Sequence, residues 1–147
     1  MSKYLDVYLQ SIHKLNIFIG NMTQLTRAEE QVMQIVWEFE QATVQQVLEK
    51  FGQPKPARTT VATVLSILEN KGFVKRENTG KLNIYSALIK KEDYSKSQLF
   101  GVLKNYFNNS FASMASFFAK EQNLSLSDLD QLLEETREEL KKSGMYE

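Results

Sequence analysis

Thr59, Thr60, Thr63 and Ser66 set four short hydroxyl side chains close together, although threonine is a poor helix former and helix stability does not call for three of them. The surrounding spacing predicts a helix from Arg58 to Lys71, closed by Gly72. Val61, Val64, Leu65 and Leu68 recur at helical intervals as an apolar stripe, and Thr59, Ala62, Thr63, Ser66 and Asn70 fall on the opposite side. Thr60 is expected to turn partly toward the core. Such a side can approach another surface closely. Base edges in a DNA major groove present donors, acceptors and the thymine methyl, which small hydroxyl and methyl groups match. An ordinary solvent-facing helix has the same composition, so the neighbouring elements must decide between the two.

Upstream, Thr43-Val44-Gln45-Gln46 has the form of a capping box, and Val44, Val47, Leu48 and Phe51 outline a brief amphipathic helix ending at Gly52. Gln53-Pro54-Lys55-Pro56-Ala57 follows, where two prolines bar helix continuation and set a turn. The layout is helix-turn-helix. Downstream, Phe73-Val74-Lys75-Arg76 and the run Leu82 to Leu88 alternate in polarity around Asn78-Thr79-Gly80-Lys81, predicting a hairpin that would form a wing. Lys55, Arg58, Lys75, Arg76 and Lys81 then stand where a duplex would bring phosphates or the minor groove. An earlier helix starts at the capping box Thr26-Arg27-Ala28-Glu29, with Ala28, Val32, Ile35, Val36 and Phe39 as its buried side and Trp37 packed under the head as a structural residue. The adjacent acids Glu29 and Glu30 are expected on a solvated face.

The formal net charge of the 147 residues is zero, but it is unevenly spread. Eight basic and two acidic residues lie between Gln53 and Lys91, whereas eight acidic and three basic residues lie between Glu121 and Glu147. A basic patch is hidden in the average. With no cysteine, neither disulfides nor thiolate metal sites form, and the cytoplasm is the expected compartment. No apolar run reaches membrane-spanning length, so no membrane insertion is expected. The single histidine, His13, has no nucleophile or oxyanion donor in plausible relation to it, and no glycine loop cradles a phosphate. Neither catalysis nor a cofactor is expected.

The chain divides into a leader at 1–22, a winged helix-turn-helix domain at 23–90 and a helical domain at 91–147. The leader carries scattered apolar residues such as Leu5, Leu9 and Ile12, consistent with a loose helix or disorder, and Met22 is expected to be the start of the working protein. In the last domain, Glu92 to Phe107 reads as a helix with Leu99, Val102, Leu103, Tyr106 and Phe107 at helical spacing. Phe111, Met114, Phe117 and Phe118 belong to a second helix, and Leu129, Leu132 and Leu133 to a third that starts at Ser125. A tail of about 50 residues buries little surface alone, so a second copy is expected to complete its core. Two heads held about 34 Å apart would then meet a palindromic operator. An intramolecular bundle packed on the head is the alternative.

The stretch Leu25 to Trp37, the run Thr60-Val61-Ala62-Thr63-Val64-Leu65, and Asn70-Lys71-Gly72-Phe73-Val74 leading into a wing that ends at Tyr85-Ser86 together resemble the BlaI/MecI penicillinase repressor family. The resemblance covers about five-sixths of the chain. It implies a mainly α fold with a small β-hairpin wing, and a homodimeric repressor that binds a double-stranded DNA operator. It also implies release through cleavage of the helical domain, triggered by a membrane sensor protease system. The chain departs from the family in three places. Ala62 stands where the reading helix commonly carries arginine, with Arg58 one turn earlier. Phe117-Phe118 stands where members tied to β-lactam resistance have a scissile Asn-Phe pair. The cysteines of the copper-responsive branch are absent. Two other readings stay open: a ligand-responsive winged-helix regulator with a cavity lined by Phe111, Phe117 and Phe118, and a protein-docking module that does not bind DNA.

Overall fold

The computed structural model describes residues 24–144, so the expectations for the leader, Met22 and His13 lie outside the described residues. The described chain falls into two compact units, one ending at Phe100 and the other beginning at Gly101. It is mainly helical with one two-stranded antiparallel sheet.

In the first unit, α1 (Arg27–Val36) and α2 (Val44–Lys50) each start with a complete capping box, Thr26 with Glu29 and Thr43 with Gln46. These satisfy N–H groups that the first turn leaves unpaired. Phe51 ends α2 in an extended conformation rather than continuing it. After the proline turn comes α3 (Arg58–Asn70), which packs on α1 and α2 as the helix-turn-helix pattern requires. Its end is a Schellman motif: the Phe73 N–H donates to the Leu68 carbonyl at 2.9 Å and the Gly72 N–H to Glu69 at 3.0 Å. Gly72 supplies the positive φ of 81° that this closure needs.

The hairpin pairs β1 (Val74–Thr79) with β2 (Leu82–Ala87), with Thr79 opposite Leu82 and Gly80-Lys81 as the tight loop. Its first strand runs three residues beyond the expected Arg76. A further element was not expected: Ala42 and Tyr85 exchange backbone hydrogen bonds of 2.9 and 2.8 Å, making a one-residue bridge that ties the wing to the entrance of α2.

Val32, Met33, Val36, Val47, Val61, Leu65, Leu68, Phe73, Val74 and Tyr85 build the core of this unit. Burying a side chain of this size contributes roughly 1.5–3 kcal/mol, so the orientation of α3 is fixed by its apolar stripe. Trp37 closes α1, donates its Nε1–H to the Ile89 carbonyl at 2.9 Å and lies 5.7 Å from the Tyr94 ring. It is structural, as expected.

Two expectations for α1 are corrected. Ala28 is exposed, and Glu29 beside it is buried at 4 %. The acid leaves solvent because Lys71, just past the end of α3, reaches it: Lys71 Nζ stands 2.6 and 2.8 Å from the two carboxylate oxygens. Burial alone would raise the Glu29 pKa, but hydrogen bonds from Lys71 and from the Thr26 backbone and hydroxyl outweigh it and hold the group below the ordinary carboxylate value.

From Lys91 to Phe107 runs α4, with Tyr94 buried in the first unit. The second unit contains α5 (Phe111–Glu121), capped by Ser110, and α6 (Leu126–Lys142), which opens with a Ser125/Asp128 capping box. Asn123 takes a φ of 52° between them, and Leu124 N–H donates to the Ala119 carbonyl. Phe107 and Phe117 meet at 5.5 Å between ring centroids. No helix among the described residues is long and apolar enough to cross a membrane.

Candidate nucleic-acid interface

The apolar stripe of α3 faces inward, so the geometry of a 3.6-residue turn presents its other side outward. Thr59, Thr63, Ser66 and Asn70 are exposed there, with Ala62 half-buried among them. Thr60 is also exposed, a correction to the expectation that it turns toward the core. The Thr63 hydroxyl donates to the Thr59 carbonyl at 2.9 Å, so what it offers outward is an acceptor oxygen and a methyl group. Ala57 precedes the helix with no side-chain cap, unlike the residues before α1, α2, α5 and α6. The Thr60 N–H turns back to the Ala57 carbonyl at 3.0 Å, and no side chain caps the Arg58 and Thr59 amides before it, at the end where the helix dipole favours an anion.

The flanking cations are less free than their number suggests. Arg58 donates to Gln45 Oε1 on α2 at 2.9 Å, and Gln45 donates to Glu49 at 3.2 Å. Lys55 Nζ lies 3.5 Å from the Glu49 carbonyl. On the wing, Lys75 pairs with Glu77 at 2.9 Å and Arg76 with Glu69 of α3 at 3.3 Å. Lys71 is committed to Glu29. The only two acids between Gln53 and Lys91 are therefore each placed on a wing cation. Among the described residues Lys81, at the hairpin tip, has no carboxylate partner.

Sequence reasoning missed Gln45, Glu69 and Glu77 as members of this surface. The Lys75/Glu77 pair was legible, because residues two apart on a strand share a face. Nothing local announces that Gln45 meets Arg58 or that Glu69 meets Arg76, since both contacts join separate elements.

The residues assigned to dimerisation lie mostly outward. Leu99, Val102, Tyr106, Phe111, Phe117, Phe118, Leu132 and Leu133 are exposed, Phe107, Met114 and Leu129 are half-buried, and Leu103 is buried within the chain. Neither α5 nor α6 contains a buried residue.

A family model described as penicillinase repressor matches residues 25–138. The penicillinase repressor of Bacillus licheniformis is 26 % identical over 116 residues, covering 76 % of this chain and 91 % of that protein. The methicillin resistance regulatory protein MecI of Staphylococcus aureus is 24 % identical over 110 residues, covering 74 % and 89 % respectively. The solution structure of the DNA binding domain of the repressor BlaI is also similar, at 24 % identity and a TM-score of 0.44, covering 50 % of this chain and 90 % of that one. With a match running from the start of the first capping box through most of α6, the chain belongs to the penicillinase repressor family.

Proposed function

We propose that the chain is a DNA-binding transcriptional repressor that inserts α3 into the major groove of an operator and lays its wing along the neighbouring backbone. The bare hydroxyl side of α3, exposed from Thr59 to Asn70, carries this reading. Thr59, Thr60, Thr63 and Ser66 would meet base edges, with Ala62 against a thymine methyl. Lys55, Arg58, Lys75, Arg76 and Lys81 would meet phosphates or the minor groove. The protein acts in the cytoplasm, as a regulator rather than an enzyme.

A homodimer completes the device. Phe111, Phe117 and Phe118 are each more than half exposed, as is Leu133. An apolar surface of this kind supports a partner that covers it, and a second copy would also pair two heads on a palindromic operator. Release is by proteolysis or another signal, with a membrane sensor protease system as partner and Phe117-Phe118 as the cleavage position. That pair lies within α5, so a protease would have to unwind the helix locally to reach it.

Mobility shift and footprinting on the promoter of the chain's own transcription unit test the reading. The expected result is protection of a two-fold symmetric site that survives excess competitor duplex. Binding with no preferred sequence, lost as soon as competitor is added, would favour the docking module instead. A finer test concerns Lys81: the Lys81→Ala variant should bind all duplexes more weakly and flatten the dependence of log affinity on log salt by about one unit. A loss confined to one sequence would contradict a phosphate contact.

A further inference from the structure

Wing and reading helix carry a built-in counterweight. Glu77 lies two residues from Lys75 on β1 and holds its ammonium at 2.9 Å, while Glu69, on α3, holds the Arg76 guanidinium at 3.3 Å. No other acid occurs between Gln53 and Lys91, and neither is needed for burial: the Glu77 side chain is 53 % exposed and Glu69 31 %. Pairs this exposed contribute little to stability, about 0–1 kcal/mol. A structural role therefore gives no adequate reason for them, whereas their position on the two cations of β1 does.

We propose that Glu69 and Glu77 are specificity-determining residues that mask Arg76 and Lys75 in the free protein and so suppress its affinity for DNA of arbitrary sequence. The inference rests on the reading of this head as DNA-binding. Non-specific affinity comes almost wholly from counterions released as phosphates are neutralised. A cation already held by a carboxylate releases fewer, because the phosphate must displace the acid first. A docked complex in which base contacts fix the register can drive that exchange; a sliding encounter on random sequence cannot. Ala62 and the threonines offer neutral contacts, so discrimination depends on keeping the sequence-blind electrostatic part small. Lys81 is left unmasked at the tip to engage the backbone.

The test uses the full chain and a mixed-sequence duplex, with affinity read by fluorescence anisotropy across a salt series. Glu77→Gln and Glu69→Gln keep the side-chain shape and remove the charge. Each is expected to tighten binding to the mixed-sequence duplex about fivefold and to steepen the salt slope by about 0.9, the amount for one additional phosphate. The double variant should gain both increments. To separate masking of a particular cation from a general change of net charge, Glu77→Gln is also made in a Lys75→Gln background. There the gain should vanish. A gain of the same size without Lys75, or wild-type affinity and slope in the single variants, overturns the inference while leaving DNA binding intact. Failure of wild type and variants alike to bind any duplex at low salt overturns the underlying reading and the inference with it.

Discussion

If α3 enters the major groove as proposed, replacing Thr63 with aspartate is expected to abolish operator binding and to leave the protein folded and in its original oligomeric state. The side chain is exposed at the centre of the outward side of α3. A carboxylate there would enter a groove lined by purine acceptors and flanked by phosphates, while removing one favourable contact. Like-charge juxtaposition costs several kcal/mol and a lost base contact about 1–3 kcal/mol, so binding should weaken by a factor of roughly a hundred or more. Folding should be nearly untouched. An exposed substitution away from caps and core usually changes stability by less than about 0.5 kcal/mol, and the hydroxyl given up was only bonded back to the Thr59 carbonyl. Anisotropy with an operator duplex, alongside sedimentation and thermal melting, makes the comparison. Unchanged operator affinity with an intact fold would show that this side of α3 does not meet DNA. Thr63→Val is the milder companion: it keeps the methyl and loses the acceptor, so its effect should fall on one base position rather than on all binding.

Much of the head is written locally. Thr26 and Glu29, like Thr43 and Gln46, are spaced as capping boxes, and both boxes form. Gly72 and Gly80 stand where a helix closure and a two-residue loop require positive φ, at 81° and 69°. The stripe of Val61, Leu65 and Leu68 fixes which side of α3 is buried, and hence which is bare. Each of these signals lies within a few residues of the structure it specifies. The features that escaped join distant parts of the chain. Ala42 bridges to Tyr85 through backbone groups that carry no side-chain signature. Hydrophobicity alone places Ala28 inside and Glu29 outside. The structure inverts them because a lysine 42 residues away supplies the counter-charge that permits burial.

The same limit applies to the surface charges. Counting lysines and arginines finds the basic patch but overstates its strength, since Lys71, Lys75 and Arg76 all have carboxylate partners. In the tail, helical periodicity places Phe111, Phe117, Phe118 and Leu133 on α5 and α6, but the exposure of these residues is a property of three dimensions. Periodicity states that a side is apolar. It does not state what covers it.

The Glu29–Lys71 pair ties the start of α1 to the end of α3 and is the most buried ion pair among the described residues. Substituting Lys71 with methionine keeps most of the side-chain volume and strands a carboxylate that is 5 % exposed. Breaking a fully buried pair costs about 3–5 kcal/mol. Here the lysine side chain is 25 % exposed and Thr26 still donates to Glu29, so a loss of about 2 kcal/mol at neutral pH is expected. The pH dependence has a definite sign. In the wild type the folded-state pKa of Glu29 is depressed, so its contribution is fully present above the unfolded value and is lost as pH falls through the folded one. Removing Lys71 takes away the first of the interactions opposing burial, and the folded pKa rises. The stability gap between wild type and variant should therefore be widest at neutral pH and close as the medium is acidified through the carboxylate range. Urea unfolding at a series of pH values measures the gap directly, and a gap that stays constant into acid would mean that the lysine stabilises the head through packing rather than charge.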